Sequence, residues 1–229
     1  MDKAKELKIK QIINCIETDN PDNQYDLISL LYDGPHGMRQ VTLGAGLTEF
    51  GGDLKRCIQL YISRNGKYAE DLKKYVDKIG NTRTPLANDQ EFIDLLRRAS
   101  KEDPIMRDTQ DEVFDNLYWN PALDWANTNG FDNISPLALL IIYDSYVQSG
   151  QVFMFLRNKF PENTPRNGGT EKEWITAYAK TRLFWLSNHT NSTVRKSAYR
   201  MRTYMKLIND GNWNLDGAIT TDNGCHIAA

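Results

Sequence analysis

Residues 16–53 read IETDNPDNQYDLISLLYDGPHGMRQVTLGAGLTEFGGD, and the order of signals along this stretch decides the fold. Upstream of it Ile9, Ile12, Ile13 and Ile16 recur at i, i+3, i+4 and i+7, which predicts a helix over residues 3–17 with one buried stripe. The turn cluster TDNPDN ends that helix, and residues 25–32 mix apolar and polar positions as a short strand does. DGPHG at 33–37 must turn, residues 40–43 form the return strand, and the glycines at 44, 46, 51 and 52 keep the chain irregular until Asp53 opens a helix through residue 63. Beyond that point the periodicity is helical. Helices are expected at 68–79, 88–100, 104–118, 120–129, 135–149, 151–159, 170–187 and 192–210, which makes the chain mainly α (α+β) with one small β-hairpin between its first two helices.

Composition narrows the function. Forty per cent apolar residues, with five Trp, eleven Tyr and eight Phe, supply a large core and exclude intrinsic disorder. The longest apolar run, 137–142, is far too short to span a bilayer, so no membrane partner is expected. A net charge of −2 excludes the basic footprint of a general nucleic-acid binder. Residues 1–149 carry 17 basic and 24 acidic side chains, whereas 150–229 carry 11 and 6, an opposition that predicts a dipolar molecule or a charged cleft. Cys15, Cys57 and Cys225 have neither disulfide-framework nor zinc-knuckle spacing, although one bridge remains open to them. His36 reads as a solvated turn residue, and His189 and His226 lack partners at metal-ligand spacing; no metal or organic cofactor is expected, since acid and base carboxylates with water suffice for the chemistry the sequence suggests. No signal peptide is visible in the amphipathic first residues.

Two carboxylates carry a chemical logic. Glycosidic hydrolysis needs one protonated carboxyl group to assist the leaving oxygen and one ionised group to activate water. Glu17 ends a helix, facing the negative end of its dipole with Asp19 and Asp22 nearby, and is expected to hold its proton. Asp33 lies on a glycine-rich turn among backbone amides and is expected to stay ionised.

The wider pattern resembles the chitosanases of glycoside hydrolase family 46. Glu17, Tyr25, Asp33 and Gly34 fall in that family's order, followed by AGLTEFGGD (45–53), LANDQEF (86–92), QDEVFDNLYWNPAL (110–123), YDSYVQSG (143–150), EKEWITAYAKTR (171–182) and YRMRTYMKLINDGNWNLDGAI (199–219). The likeness covers roughly residues 5–219. It implies a lysozyme-like two-lobed fold, with a small β-hairpin lining a cleft, in a single catalytic domain over 1–229.

The resemblance also implies roles. Glu17 resembles the general acid and Asp33 the base of an inverting, endo-acting enzyme that cuts β-1,4 links of chitosan, its carboxyls standing roughly 6.5–9.5 Å apart or more. Asp53 resembles a substrate-contacting carboxylate, and Tyr25 and Thr48 match positions near the sugar path. Asp144, Arg182 and Arg200 resemble an interior acid and base network. After Asp33 the chain departs from the family's DGRGYT: DGPHGMRQVT is about three residues longer, a change that loops tolerate. Thr42 then becomes the nearest candidate for positioning water, and Arg39 a replacement for the displaced basic residue. Polysaccharide is the expected partner, for a monomer acting outside the cell. A peptidoglycan-cutting muramidase on the same fold is the alternative.

Overall fold

The computed structural model describes residues 1–152 and 154–229. In chain order the elements are α1 (Lys3–Thr18), β1 (Ile28–Leu31), β2 (Gln40–Leu43), β3 (Leu47–Thr48), α2 (Asp53–Ser63), α3 (Ala69–Lys73), α4 (Gln90–Glu102) and α5 (Pro104–Phe114). A π-helical turn at Asp115–Trp119 leads into α6 (Asn120–Thr128). Then come α7 (Pro136–Ser149), α8 (Met154–Arg157), α9 (Glu171–Ser187), α10 (Ser192–Lys196), α11 (Ala198–Asn209), β4 (Ile219–Thr220) and β5 (His226–Ile227). They fall into two compact units. Asn23–Leu117 is one, and Met1–Asp22 together with Tyr118–Ala229 is the other.

In the Asn23–Leu117 unit, β1, β2 and β3 form an antiparallel sheet in that order, with Leu31 opposite Gln40 and Thr42 opposite Thr48. Val41 and Leu43 turn into a core shared with Leu54, Ile58 and Tyr61 of α2, Phe92 and Leu96 of α4, and Met106 and Val113 of α5. Asp103 fixes one corner of that core. It caps α5 through the Ile105 amide and accepts the Tyr61 hydroxyl at 2.6 Å and the Lys67 amide at 2.7 Å. Burial pushes its carboxyl up, but these donors outweigh it and hold the group below its ordinary value.

The other unit is organised around α7. Ser135 caps it by accepting the Ala138 amide, Pro136 occupies its first turn, and Gly150 ends it in the left-handed conformation at φ 70°. Residues 137–145 are all buried, as a helix enclosed on every side requires, and α1, α6, α9 and α11 pack around it. The C-terminal hairpin β4–β5 packs on α1, where Cys15 and Cys225 form a disulfide. Cys57 is a buried free thiol.

Several expectations need correction. The predicted helix 68–79 stops at Lys73, where i→i+3 bonds such as Lys78 to Tyr75 replace the helical ladder. The one at 104–118 gives way to the π turn after Phe114, and 88–100 starts and ends two residues later as α4. The helix 192–210 breaks at Ser197, whose hydroxyl bonds the Val194 carbonyl and the Gln148 amide instead of leaving the backbone regular. In the predicted helix 151–159, Phe153 lies outside the described residues and α8 covers Met154–Arg157. Strands β3, β4 and β5 were not anticipated, being two residues each. The charge opposition between the sequence halves also dissolves. Counted by unit, Asn23–Leu117 carries 13 basic and 16 acidic residues, and the remainder 15 and 14.

Candidate active site

Glu17 stands one residue before the end of α1. The helix stops because Asp19 takes the left-handed conformation at φ 56° and its amide bonds back to the Cys15 carbonyl. Three neighbours hold this end in place. The Tyr199 hydroxyl donates to the Ile16 carbonyl, the Asn223 side-chain amide donates to the Cys15 carbonyl at 2.9 Å, and the disulfide fixes Cys15 itself.

Behind Glu17 four helices contribute one ion-pair set. Arg200 of α11 donates to Glu17 Oε1 and lies 3.4 Å from Asp144 Oδ1 on α7. Arg182 of α9 reaches Asp144 Oδ2 at 2.9 Å and also donates to Ser145 and Gln148. Tyr204 closes the set with a 2.9 Å bond to Asp144 Oδ1, and burial beside that carboxylate pushes its phenol well up. Burial acts to lower the Arg200 guanidinium, but Asp144 and Glu17 outweigh it and raise it above its ordinary value. The structure thus brings together Glu17, Asp144, Arg182 and Arg200. It also corrects the field expected around Glu17: the helix dipole and neighbouring aspartates are met by a guanidinium in direct contact.

Asp33 belongs to the Asn23–Leu117 unit, exposed on the turn after β1. Its next residue must be glycine, since a Cβ at Gly34 would meet the Met38 carbonyl oxygen at 2.8 Å and the Phe50 ring at 2.9 Å. The turn is built from a short 3-10 segment, Pro35–Gly37, with His36 at φ 56° and exposed. Asp33 Oδ1 accepts a 2.9 Å hydrogen bond from Gln40 Nε2.

The remaining candidates are placed less uniformly. Arg39 donates to Asn88 Oδ1 at 3.2 Å, so in this structure its guanidinium is engaged with the segment before α4. Thr42 lies on the central strand β2, opposite Ser29 of β1 and Thr48 of β3. Its hydroxyl oxygen is sealed from solvent and has no hydrogen-bond partner among the described residues. Thr48 accepts the Gly51 amide at 3.2 Å, and a Cβ at Gly51 would lie 2.3 Å from Thr48 Oγ1 and 3.3 Å from Asp53 Oδ2, which brings Thr48 and Asp53 to one glycine corner. Burial at the start of α2 raises the Asp53 carboxyl, with Arg56 opposing. The Tyr25 hydroxyl donates to Asp111 at 2.8 Å and accepts from Asn23. Burial and Asp111 push it up to about 12 against the opposing Asn23 bond, so it remains a neutral donor.

Sequence reasoning missed two residues that shape this side. Gln40 is nearly fully buried between Asp33 and the Phe50 amide. Glu49, with no exposure, accepts the Val41 amide at 3.1 Å and the Leu86 amide at 2.9 Å, and burial raises its carboxyl despite both bonds. Neither has a local signal, since a polar residue opening a strand and a Glu in a glycine-rich loop are ordinary on any surface. Of the tryptophans, Trp174 and Trp119 are buried, and Trp174 stacks on Tyr178.

Residues 11–219 match the family model described as glycosyl hydrolase family 46. A chitosanase of Bacillus subtilis (strain 168) is 26% identical over 96% of this chain and 82% of its own length. The crystal structure of the native chitosanase from Bacillus subtilis MY002 superposes with a TM-score of 0.82 at 22% identity, covering 100% of this chain and 99% of that one. A Gynuella sunshinyii family 46 chitosanase, solved as a complex with chitotetraose, gives a TM-score of 0.77 at 26% identity over 94% and 93%. The fold is the lysozyme-like, mainly helical one of these enzymes, and the chain is a glycosidase belonging to glycosyl hydrolase family 46.

Proposed function

We propose that this glycosidase cleaves β-1,4 links within chitosan by an inverting mechanism, with Glu17 as general acid and Asp33 as general base. One observation carries the assignment. Each carboxylate has one oxygen tied by a donor, Glu17 Oε1 by Arg200 and Asp33 Oδ1 by Gln40, and among the described residues neither second oxygen has a protein partner. An oriented carboxyl with one free oxygen is what proton transfer to a leaving oxygen, or from a water, requires. Glu17 gives its proton to the glycosidic oxygen, Asp33 takes one from the water that attacks the anomeric carbon, and solvent exchange restores both groups.

Substrate class follows from the relatives, whose names are chitosanase, and from the chemistry of the polymer. Glucosamine units carry ammonium groups. Asp53, beside Thr48 at the glycine corner, supplies an anion for one of them. Water positioning passes from Thr42 to Asp33 itself in this reading, because the Thr42 hydroxyl is sealed. The Cys15–Cys225 bridge supports action in an oxidising, extracellular setting.

The test is direct. Incubation with chitosan should drop viscosity early, release oligosaccharides of several units, and form the α-anomer first in proton NMR. Parallel incubations with chitin and peptidoglycan should release little. Initial β-anomer would overturn the inverting mechanism, and clearing of peptidoglycan with inert chitosan would overturn the substrate.

A further inference from the structure

We infer that Gln40 is a positioning residue for the base: its side-chain amide selects which Asp33 oxygen takes the proton and holds that carboxylate still. This rests on the reading of Asp33 given above. Gln40 opens β2 directly opposite Leu31, the last residue of β1, so Asp33 and Gln40 are the two feet of the long turn between the strands. The turn offers Asp33 little other restraint. It is exposed, and its internal bonds, Gly34 to Met38 and Gly37 to Gly34, are backbone bonds that leave the Asp33 side chain untouched.

The orientation of the amide follows from its partners. The Phe50 backbone N–H, 3.1 Å from Gln40 Oε1, can only donate, so the oxygen must face it. Nε2 must then face Asp33. Turning the amide over would set two donors together at Phe50 and two acceptors together at Asp33, replacing two hydrogen bonds by two repulsive contacts at a residue only 5% exposed. Asp33 Oδ1 is therefore locked as an acceptor, and the proton taken from water goes to Oδ2. Phe50 belongs to the segment after β3, and its ring also closes over Gly34. One buried amide thus links the base to the sheet and to the loop leading to Asp53. A turn lengthened relative to its family can keep the base in place by this means.

Two substitutions separate positioning from packing. Gln40→Met keeps the volume and removes both hydrogen bonds. Gln40→Glu keeps the shape and the acceptor for Phe50 but replaces the donor, and the new carboxyl either repels Asp33 or shares its proton, disabling the base in both cases. Steady-state kinetics on chitosan should show kcat lowered about 10- to 100-fold in both variants with KM little changed, the size expected when a reacting group loses its alignment. Near-wild-type kcat in Gln40→Glu would overturn the inference, because it would reduce Gln40 to an acceptor for Phe50. Should Gln40→Met fail to fold, Gln40→Glu still decides. Asp33→Asn run alongside distinguishes the two levels: activity retained there removes the base assignment, whereas activity lost there but kept in Gln40→Glu removes only the role of Gln40.

Discussion

Arg182 Nη1 lies 2.9 Å from Asp144 Oδ2, and neither side chain has any exposure to solvent. Arg200, on the other oxygen of the same carboxylate, links this buried pair to Glu17. Charges so deep are tolerable only as a set, and removing one member strands the others. Asp144→Asn and Arg200→Ala should each cost about 3–5 kcal/mol of stability, a fall in thermal midpoint on the order of 10 °C, read by calorimetry or circular dichroism. An unchanged midpoint would mean that the set does not hold the helices.

The two carboxylates proposed as acid and base should show their main effect in turnover instead. Both are exposed, and neither is needed to fill the core. Glu17→Gln and Asp33→Asn should each lower kcat by about 10²- to 10⁴-fold; Asp33→Asn should leave the unfolding midpoint close to wild type, whereas Glu17→Gln, which weakens the pair with the buried Arg200, should lower it by less than Arg200→Ala does. Full turnover in either variant would reject its assigned role.

Glu49 gives stability an unusual pH dependence. Its carboxyl is raised by burial, so the folded chain holds that proton more tightly than the unfolded chain does. Its contribution is therefore fully present below the ordinary Glu value of 4.5 and is lost as pH rises through the raised folded value. The stability advantage of wild type over Glu49→Gln should narrow from pH 4 upward across that window in urea titrations. A gap that widens with pH would refute the assignment.

Asp53 should set the acid limit of substrate binding. Burial raises its carboxyl above 3.8, so its negative charge disappears at a higher pH than for a solvated aspartate. KM for chitosan should climb as pH falls through that raised value, and Asp53→Asn should show a high KM with a flatter profile. Equal pH profiles in both proteins would exclude Asp53 from ammonium binding.

The disulfide closes a loop of 210 residues. In the chain-entropy account such a cross-link stabilises by about 5.4 kcal/mol. Cys225→Ser, or reduction of the wild type, should lower the guanidinium midpoint accordingly. Coincident midpoints with and without reductant would show that the bonds of Lys8 to the Gly217 and Ala228 carbonyls and of Asn223 to α1 suffice to hold the tail.

Periodicity alone determined most of the helices, the hairpin of β1 and β2, and the turn that carries Asp33, because amphipathic spacing, caps and turn residues act within a few positions of themselves. It failed where competing contacts decide locally: at Ser197, whose side chain takes a partner on α7, and at strands of two residues, which have no pattern to read. Family likeness marked Glu17, Asp33, Asp144, Arg182 and Arg200 along the chain. Only the tertiary structure joined Cys15 to Cys225, sealed the Thr42 hydroxyl, buried Glu49, and set the Gln40 amide between Asp33 and Phe50. Those outcomes depend on which atoms meet across distant stretches of chain and on whether water reaches them, and spacing in one dimension carries no information about either.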